Sequence, residues 1–525
     1  MMFFKLKKKY TETINKLNEV GLALSTEDDI NRLLERILEK AKSISNADNG
    51  ALYLLEGDKL KCSIAQSTSL GVTFGGTSSD DDGEQVQVPP IKLYSRSGRP
   101  DKKLIPVYVA IQKQSLNIRN LKFFSHFAQG SIFNSIAEYI PVSVLAVPIT
   151  NQKNEVLGVI HLVNAKNKQG RIIPFSKEIE SLIESLASQA AVSIENQTLK
   201  DEQRNILEGI IKMLALAIDA KSSHTSNHCQ AIPVLTEMIA KAAIKQKDGY
   251  FRDFHMDSEE LYELRVASWL HDCGKLTIPL TILDKATKLE TTYDRINAIH
   301  ARFETVARDL EIAHLRKQIK AAEYKQQLKQ LKSDWQFIQS MNKGSEYVDD
   351  AKLKRLKQIA NYKWNQTLNG EKIKTSKLLT KDELANLSIR KGTINEEERQ
   401  IINSHIDVTI DMLNSLPFPK NLQRVPEYAG GHHEKMDGTG FPKGLTREEM
   451  SVPARMMAVA DIFEALTAYD RPYKKPKKLS ESIAIMTKMR DENHIDPDIF
   501  DLFIKEKIYL KYAKKFLLPE QIDEI

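Results

Sequence analysis

Residues 430–445 read GGHHEKMDGTGFPKGL. Two adjacent histidines and a glutamate, His432, His433 and Glu434, run directly into a glycine-broken loop. A surface turn has little use for such a triplet, and a core tolerates buried charge only when it is paired or ligating. What this stretch can do depends on the partners that the rest of the chain brings to it.

Histidine is scarce, with 12 in the chain, yet it recurs beside acidic or histidine neighbours in the C-terminal half. His224 and His228 lie four apart in SSHTSNHCQ, so on a helix they share one face. His271 and Asp272 are adjacent in WLHDCGKLTIP, and His405 sits in EEERQIINSHIDVTIDML. Asp461 falls in ARMMAVADIFEALTAYDRPYKK, on an apolar helical face that disfavours an unpaired carboxylate. Any one of these histidines alone would pass as a satisfied core residue; jointly they point to metal. Imidazole and carboxylate without thiolate suit iron, manganese or catalytic zinc.

His224, His228, His271, Asp272, His405, His432, His433 and Asp461 exceed the roughly 4–6 ligands one ion accepts. Neighbouring helical residues point about 100° apart. His432 and His433 therefore serve different ions, or one of them serves substrate. Asp272, with two oxygens, is the natural bridge of a two- or three-metal centre. Such a centre activates water at neutral pH and clamps the oxygens of a phosphoryl group. Lys275, one turn beyond the His-Asp pair, and Arg471 and Lys474 beyond Asp461 are the cations suited to phosphate oxygens. Plain surface charge is the alternative for Lys474.

A chain of 525 residues is too long for one core. No apolar run approaches the ~20 residues needed to span a bilayer. The opening MMFFKLKKKY reverses the order of a secretory signal. Cys62, Cys229 and Cys273 have neither metal-finger spacing nor an even disulfide set, and Cys273 is expected to pack as a small apolar residue. A cytoplasmic protein is expected. Net charge is a mild +6 with lysine and glutamate mixed along the helices, which predicts a solvated surface and no nucleic-acid footprint.

Residues 1–24 alternate apolar and charged positions as a short amphipathic helix. Residues 25–197 mix helix and strand: DINRLLERILEKAKSIS carries a helical stripe, GALYLLEG and LKCSIAQS form a hairpin, and SVLAVPIT and EVLGVIHLVNA pair around NQKN. The stretch 70–103 is expected as loop. Residues 177–220 read as nearly continuous helix, with Leu182, Leu186, Ala190 and Ile194, then Ile206, Ile210, Leu214 and Ile218, at four-residue steps. That pattern suits either packing against a twin or an ordinary core helix. Beyond 205 only helices with short loops are expected. Residues 302–388, highly charged, look like an inserted helical hairpin without a catalytic pattern.

The segment from SVLAVPIT to SIENQTL resembles the second half of a GAF domain, a small sensory module. The resemblance implies either a small-molecule ligand or a role in dimerisation. Asn164, Phe175 and Glu180 match part of the signature of the cyclic-nucleotide-binding subgroup, whereas Ala165 and Ile179 depart from it.

HDCGK and HHEKMDGTGFP, with VADIFEALT and DRPYKK after them, resemble the HD-GYP subgroup of HD-domain phosphohydrolases over roughly 205–515, apart from the insertion. The implied architecture is multidomain: an N-terminal α+β GAF domain, a long connecting helix, and a C-terminal all-α HD-GYP domain. The implied activity is hydrolysis of cyclic di-GMP to pGpG or GMP with two or three iron or manganese ions. His228 then corresponds to the first-helix ligand, His271 and Asp272 to the HD pair with Asp272 bridging, and Lys275 to the phosphate-contacting lysine. His432 and His433 are the paired ligands and Asp461 the last carboxylate. His224 stands where some members place a glutamate that helps hold a third metal.

The family's spacing of 29 residues after the HD histidine lands on His300, but KGTINEEERQIINSHIDVTIDML fits the motif and assigns the middle ligand to His405. The signature loop comprises Asp437, Gly438, Gly440, Phe441 and Pro442, with Phe441 in place of the usual tyrosine. That change is expected to alter what the loop recognises, a diguanylate cyclase among its candidate partners, and to leave the metals untouched. Glu434 is expected to orient a ligand from behind. The phosphate-side motif is one residue longer than usual, with Tyr469 and Asp470 before Arg471. The GAF domain is expected to regulate the enzyme within a homodimer. Hydrolysis of another cyclic dinucleotide or nucleotide, or non-catalytic reception of cyclic di-GMP, are the alternatives.

Overall fold

The computed structural model describes residues 27, 29–76, 88–95, 98–128, 139–221, 228–345, 347–366, 374–468 and 476–523. The helix expected at 1–24 lies outside them. The chain divides into two compact units at about Leu207.

The first unit starts with α1 (Ile30–Ser45), whose N-cap Asp29 accepts from the Arg32 N–H and whose stripe Leu33, Leu34, Ile37, Leu38 and Ala41 is buried. Strands β1 (Ala47–Glu56) and β2 (Lys59–Ser67) form the first hairpin. β3 (Val72–Gly75), β4 (Ile91–Lys92), α2 (Ile105–Gln112) and β5 (Leu116–Ile118) follow. β6 (Val144–Thr150) and β7 (Val156–Lys166) form the second hairpin, and β8 (Ile172–Ile173) pairs with β7. The strand order is β3-β2-β1-β7-β6-β5, with β4 also on β2. β3 and β4 correct the expectation of loop over 70–103; both are short edge strands whose few residues carry no readable alternation.

One sheet face packs on α1 and the start of α3 (Lys177–Lys221) through a core that includes Ile37, Leu52, Ile64, Leu162 and Leu186. The other face, with Ala51, Tyr53, Val144 and Val163, packs toward Val107 and Val109 of α2. The partial cyclic-nucleotide signature has structural work here. Asn164 Oδ1 accepts from the Val142 and Ser143 N–H groups, Phe175 joins the α1-side core, and Glu180 accepts from Asn117 Nδ2.

The second unit is built on α4 (His228–Ile244), α5 (Ser258–Leu270), the short α6 (Leu280–Leu283) and, after an insertion, a further set of helices. The insertion holds α7 (Ile296–Leu315), α8 (Ala321–Asn342), α9 (Asp350–Ala360), strands β9 (Lys363–Gln366) and β10 (Lys374–Lys377), and α10 (Lys381–Leu387). It has its own core, including Ile299, Phe303, Leu331, Ile338, Leu356 and Leu387. It is therefore more than the expected hairpin, and its antiparallel strand pair corrects the reading of helices alone beyond 205. KWNQ and KTSK alternate no apolar residues, so the pair left no period-two trace. α11 (Glu396–Asn403), α12 (His405–Asn414), α13 (Val425–Gly430) and α14 (Val452–Thr467) complete the surround of the site, and α15 (Leu479–Asp491), α16 (Pro497–Lys505) and α17 (Ile508–Phe516) close the unit. Among the described residues no helix is long and apolar enough to cross a membrane.

Candidate metal centre

α5 starts with a capping box, Asp257 accepting from the Glu260 N–H and Glu260 returning to the Asp257 N–H. It ends at Leu270, so His271 and Asp272 leave the helix together and turn inward, both buried. The turn Cys273–Thr277 follows. Gly274 lets this turn meet α12: a Cβ there would lie 2.0 Å from the His405 carbonyl oxygen. Its N–H donates to Thr409 Oγ1 at 2.9 Å. A glycine in HDCGK thus sets the distance between Asp272 and His405.

Asp272 faces two ways. Its Oδ2 lies 3.3 Å from His228 Nε2 and 3.2 Å from His271 Nε2. Its Oδ1 lies 3.2 Å from His405 Nε2 and 4.0 Å from His432 Nε2. Asp461, reaching in from α14, sits 3.5 Å from His228 Nε2 and 3.9 Å from His271 Nε2. Candidate ligand atoms of His228, His271 and Asp272 form one group and those of His405, His432 and His433 another, each spanning no more than 4.8 Å.

Three of these rings are anchored alike. His271 Nδ1 donates to the Ser268 carbonyl at 2.7 Å, His405 Nδ1 to Ile402 at 2.5 Å and His432 Nδ1 to Ala429 at 2.6 Å. Each bond fixes the tautomer and leaves the Nε2 lone pair turned toward the centre. His228 uses a carboxylate instead: its Nδ1 donates to Glu464 Oε2 at 2.5 Å. Sequence reasoning passed over Glu464. Its signal was the position one helical turn after Asp461 in VADIFEALT, on the same face.

The electrostatics follow. Burial opposes charge on His228, but Glu464, Asp272 and Asp461 raise its pKa to about 10. Burial would raise Asp461, yet His228, His432, His271 and His433 hold it down at about 2. Asp272 is likewise kept well below the carboxylate range, against its burial, by Lys275 and His271. Burial, reinforced by the neighbouring His433 and His271, pushes His432 far below the usual imidazole range. Burial takes His433 down to about 4. Cys273 is buried with its thiol raised to about 11, an inert packing residue.

Asp272 Oδ1, His405 Nε2 and His432 Nε2 are fully buried and make no hydrogen bond. Buried acceptor atoms of this kind facing one another are costly without a cation between them. The donor set therefore fits metal ions.

The structure brings His228, His271, Asp272, Lys275, His405, His432, His433 and Asp461 together. Lys275 Nζ donates to Asp272 Oδ2 at 2.5 Å. His300 stays away: half-exposed on α7, it packs on Trp335 at 4.6 Å and lies 3.6 Å from Glu304. His224, Tyr469, Asp470, Arg471 and Lys474 lie outside the described residues.

The loop differs from expectation in two respects. Glu434 orients no ligand in this structure; Oε1 accepts from the Lys443 N–H at 2.8 Å and Oε2 from the Leu445 N–H at 2.9 Å, which staples the loop. Gly440 then crosses so close that a Cβ would meet Glu434 Cα at 2.4 Å. Phe441 stacks on His433, with ring centroids 4.8 Å apart and planes 22° apart. The phenyl ring is thus part of the wall behind a candidate ligand, and Phe441 is closer to the candidate ligands than its sequence suggested. Asp437 Oδ1 accepts from the Thr439 N–H, and Gly438 takes φ of +76° to turn the chain.

A GAF domain model matches residues 29–194, and an HD domain model matches residues 355–499. The chain carries a GAF domain and an HD domain. The HD match begins inside the insertion and covers His405, His432, His433 and Asp461. A 3′3′-cGAMP-specific phosphodiesterase of Vibrio cholerae is 39% identical over 136 residues, 25% of this chain and 28% of that protein. A cyclic di-GMP phosphodiesterase of Pseudomonas aeruginosa is 47% identical over 74 residues, 14% of this chain and 17% of its own length. The chain thus spans less than a third of the length of these relatives. The GAF domain of an Acinetobacter phosphoenolpyruvate-protein phosphotransferase aligns with 17% identity and a TM-score of 0.27, over 35% of this chain and 94% of its own.

Proposed function

We propose that the chain is a metal-dependent phosphodiesterase that hydrolyses cyclic di-GMP to pGpG or GMP. The single observation that carries this reading is Asp272, whose two oxygens face two separate histidine groups. His228, His271 and Asp461 would hold one ion and His405, His432 and His433 a second, with Asp272 available to both. Iron or manganese suits these ligands, and His224 would contribute to a third site. Divalent ions bound here would supply Lewis acidity for water and for phosphoryl oxygens.

The chain's own groups do the rest. The Nδ1 anchors keep four imidazoles in one orientation, so no reorganisation accompanies binding. Lys275 keeps Asp272 ionised and is partly exposed beside it, where its ammonium can also meet a non-bridging phosphate oxygen. Arg471 and Lys474 are assigned to the substrate's phosphates. Phe441 backs His433 and, through the loop of Asp437, Gly438, Gly440 and Pro442, the rim faces a partner such as a diguanylate cyclase.

In this reading the GAF domain (25–197) and connecting helix (177–220) modulate the HD-GYP domain (205–515, with its insertion at 302–388) within a cytoplasmic homodimer. A second substrate, 3′3′-cGAMP, is favoured by the activity named for the relatives at 39% and 34% identity.

Metal analysis with a product assay on both dinucleotides tests the proposal. Iron- or manganese-loaded protein is expected to cleave cyclic di-GMP, and Asp272→Ala to lose metal together with at least ~10³-fold in turnover. Cleavage of 3′3′-cGAMP alone transfers the assignment to the second substrate. Full metal occupancy with neither dinucleotide cleaved, and binding unaffected by Asp272→Ala, would make the chain a receptor.

A further inference from the structure

The chain's mild net charge of +6 is unevenly placed. Residues 302–388 hold 18 Lys and Arg against 11 Asp and Glu, a net +7, so the rest of the chain is close to neutral at −1. Within the insertion the excess gathers at the turn between α7 and α8 and along α8. Residues 316–332 hold six basic side chains and one acid, Glu323. Arg316, Lys317, Lys320, Lys325, Lys329 and Lys332 are all exposed, and among the described residues none of them has an ion-pair partner. Elsewhere in the insertion, by contrast, Arg302 pairs with Glu383 and Arg355 with Asp334.

Lys325, Lys329 and Lys332 follow one another at steps of four and three, which places them on one face over about 10 Å of α8. No acid stands three or four positions from any of them. Like charges at that spacing repel and weaken a helix, so the stripe costs stability unless an anion meets it. The other feature of this end is apolar. Ile312 and Leu315, three apart and so on one face of the last turn of α7, are 45% and 73% exposed. The insertion's core takes Ile299 and Phe303 from this helix, with Val306, Ala307 and Leu310 packed against it, and stops short of Ile312. Arg316 and Lys317 follow Leu315 directly, and Lys317 turns the chain with φ of +58°.

Exposed aliphatic side chains flanked by cations without acidic partners fit one surface best, an anionic lipid bilayer. Its headgroups attract lysine and arginine over about a Debye length, and its acyl boundary accepts leucine and isoleucine. A nucleic acid would meet the cations and leave the aliphatic pair in water. We propose that the α7–α8 end of the insertion docks on an anionic membrane surface. Ile312 and Leu315 enter the boundary between headgroups and acyl chains, Arg316, Lys317 and Lys320 lie at headgroup level, and the lysine stripe of α8 meets lipid phosphates. The attachment is peripheral, since no helix among the described residues is long and apolar enough to cross a membrane. The surface uses none of the candidate metal ligands, and its failure would leave the phosphodiesterase reading intact.

Flotation of the full-length protein with vesicles of phosphatidylcholine, alone or mixed with phosphatidylglycerol, tests this. Binding to the mixed vesicles and not to the neutral ones is expected, weakening as salt is raised. The combined variant Lys325→Gln, Lys329→Gln, Lys332→Gln is expected to lower the partition coefficient about 10- to 100-fold. Leu315→Ser is expected to lower it about threefold or more. The triple variant is expected to melt no lower than wild type, because it relieves like-charge repulsion along α8. A variant that docks less and melts no lower cannot be a folding failure. Absence of binding to the mixed vesicles, equal binding to neutral ones, an unaltered partition of the triple variant, or a lower melting temperature for it would each overturn the proposal. Wild-type partition by Leu315→Ser would overturn it in favour of a polyanion that reads charge alone, such as a nucleic acid.

Discussion

In the HD unit, His228, His271, His405 and His432 each tie Nδ1 to a carbonyl or carboxylate, whereas on the GAF sheet the Asn49 amide and His161 Nε2 have no hydrogen-bond partner among the described residues. Both regions bury polar atoms. An anchored imidazole has one tautomer and one orientation, which suits a cation whose demands never vary. An unanchored amide can turn over to present donor or acceptor. The first region is held rigidly and the second keeps latitude.

The largest effect that would break this contrast is at the middle ligand. His405→Ala is expected to lose about one metal equivalent, and His300→Ala none, by elemental analysis of purified protein; full occupancy without His405 would sink the assignment. Next comes the anchor itself. Glu464→Gln is expected to weaken metal binding about 10- to 100-fold, read by chelator competition. Affinity equal to wild type would mean that anchoring adds nothing at His228.

The GAF side gives a pH test. Burial lowers His161 from its usual 6.5 to about 4, so the unfolded chain takes up a proton before the folded one does. The stabilisation from the neutral ring is full above about pH 6.5 and is lost as pH falls toward 4, at most about 3 kcal/mol. His161→Phe is expected to flatten that slope in denaturant midpoints of the GAF transition, and a slope unchanged by the variant refutes the assignment. The smallest effect concerns the stacked ring. Phe441→Ala is expected to cost about 0.5–1.5 kcal/mol of metal binding, while Phe441→Tyr keeps the stack and leaves affinity within about twofold. Loss in the tyrosine variant would show that the ring's edge, not its face, matters.

Much of the candidate centre was legible in sequence because its candidate ligands sit in short motifs whose local structure is strongly dictated. His271 and Asp272 close a capped helix, and Asp461 is an acid in an apolar stretch. His405 was legible only from its flanking motif, since the insertion destroyed the spacing that otherwise points to His300. Glu464 was hidden because a glutamate in a helix is ordinary until its neighbour across space is known. Phe441 was misjudged for the same reason: its contact with His433 arises from a loop that folds back, held by both oxygens of Glu434. The strand pair β9–β10 and the edge strands β3 and β4 are set by pairing partners, which no window of local pattern contains.

The insertion separates Asp272 from His405 in sequence, yet its two ends are stitched together. Lys288 Nζ donates to the Ile389 carbonyl at 2.7 Å, Thr393 Oγ1 donates to the Lys285 carbonyl at 3.0 Å, and Lys285 Nζ donates to both oxygens of Glu398 at 2.7 and 2.9 Å. A segment with its own core and touching ends behaves, for chain statistics, as a short link rather than a long loop. Closure entropy grows only with the logarithm of loop length even for a flexible segment, and one that folds on itself adds less. The two halves of the centre therefore meet at nearly the entropic cost of an uninterrupted helical domain.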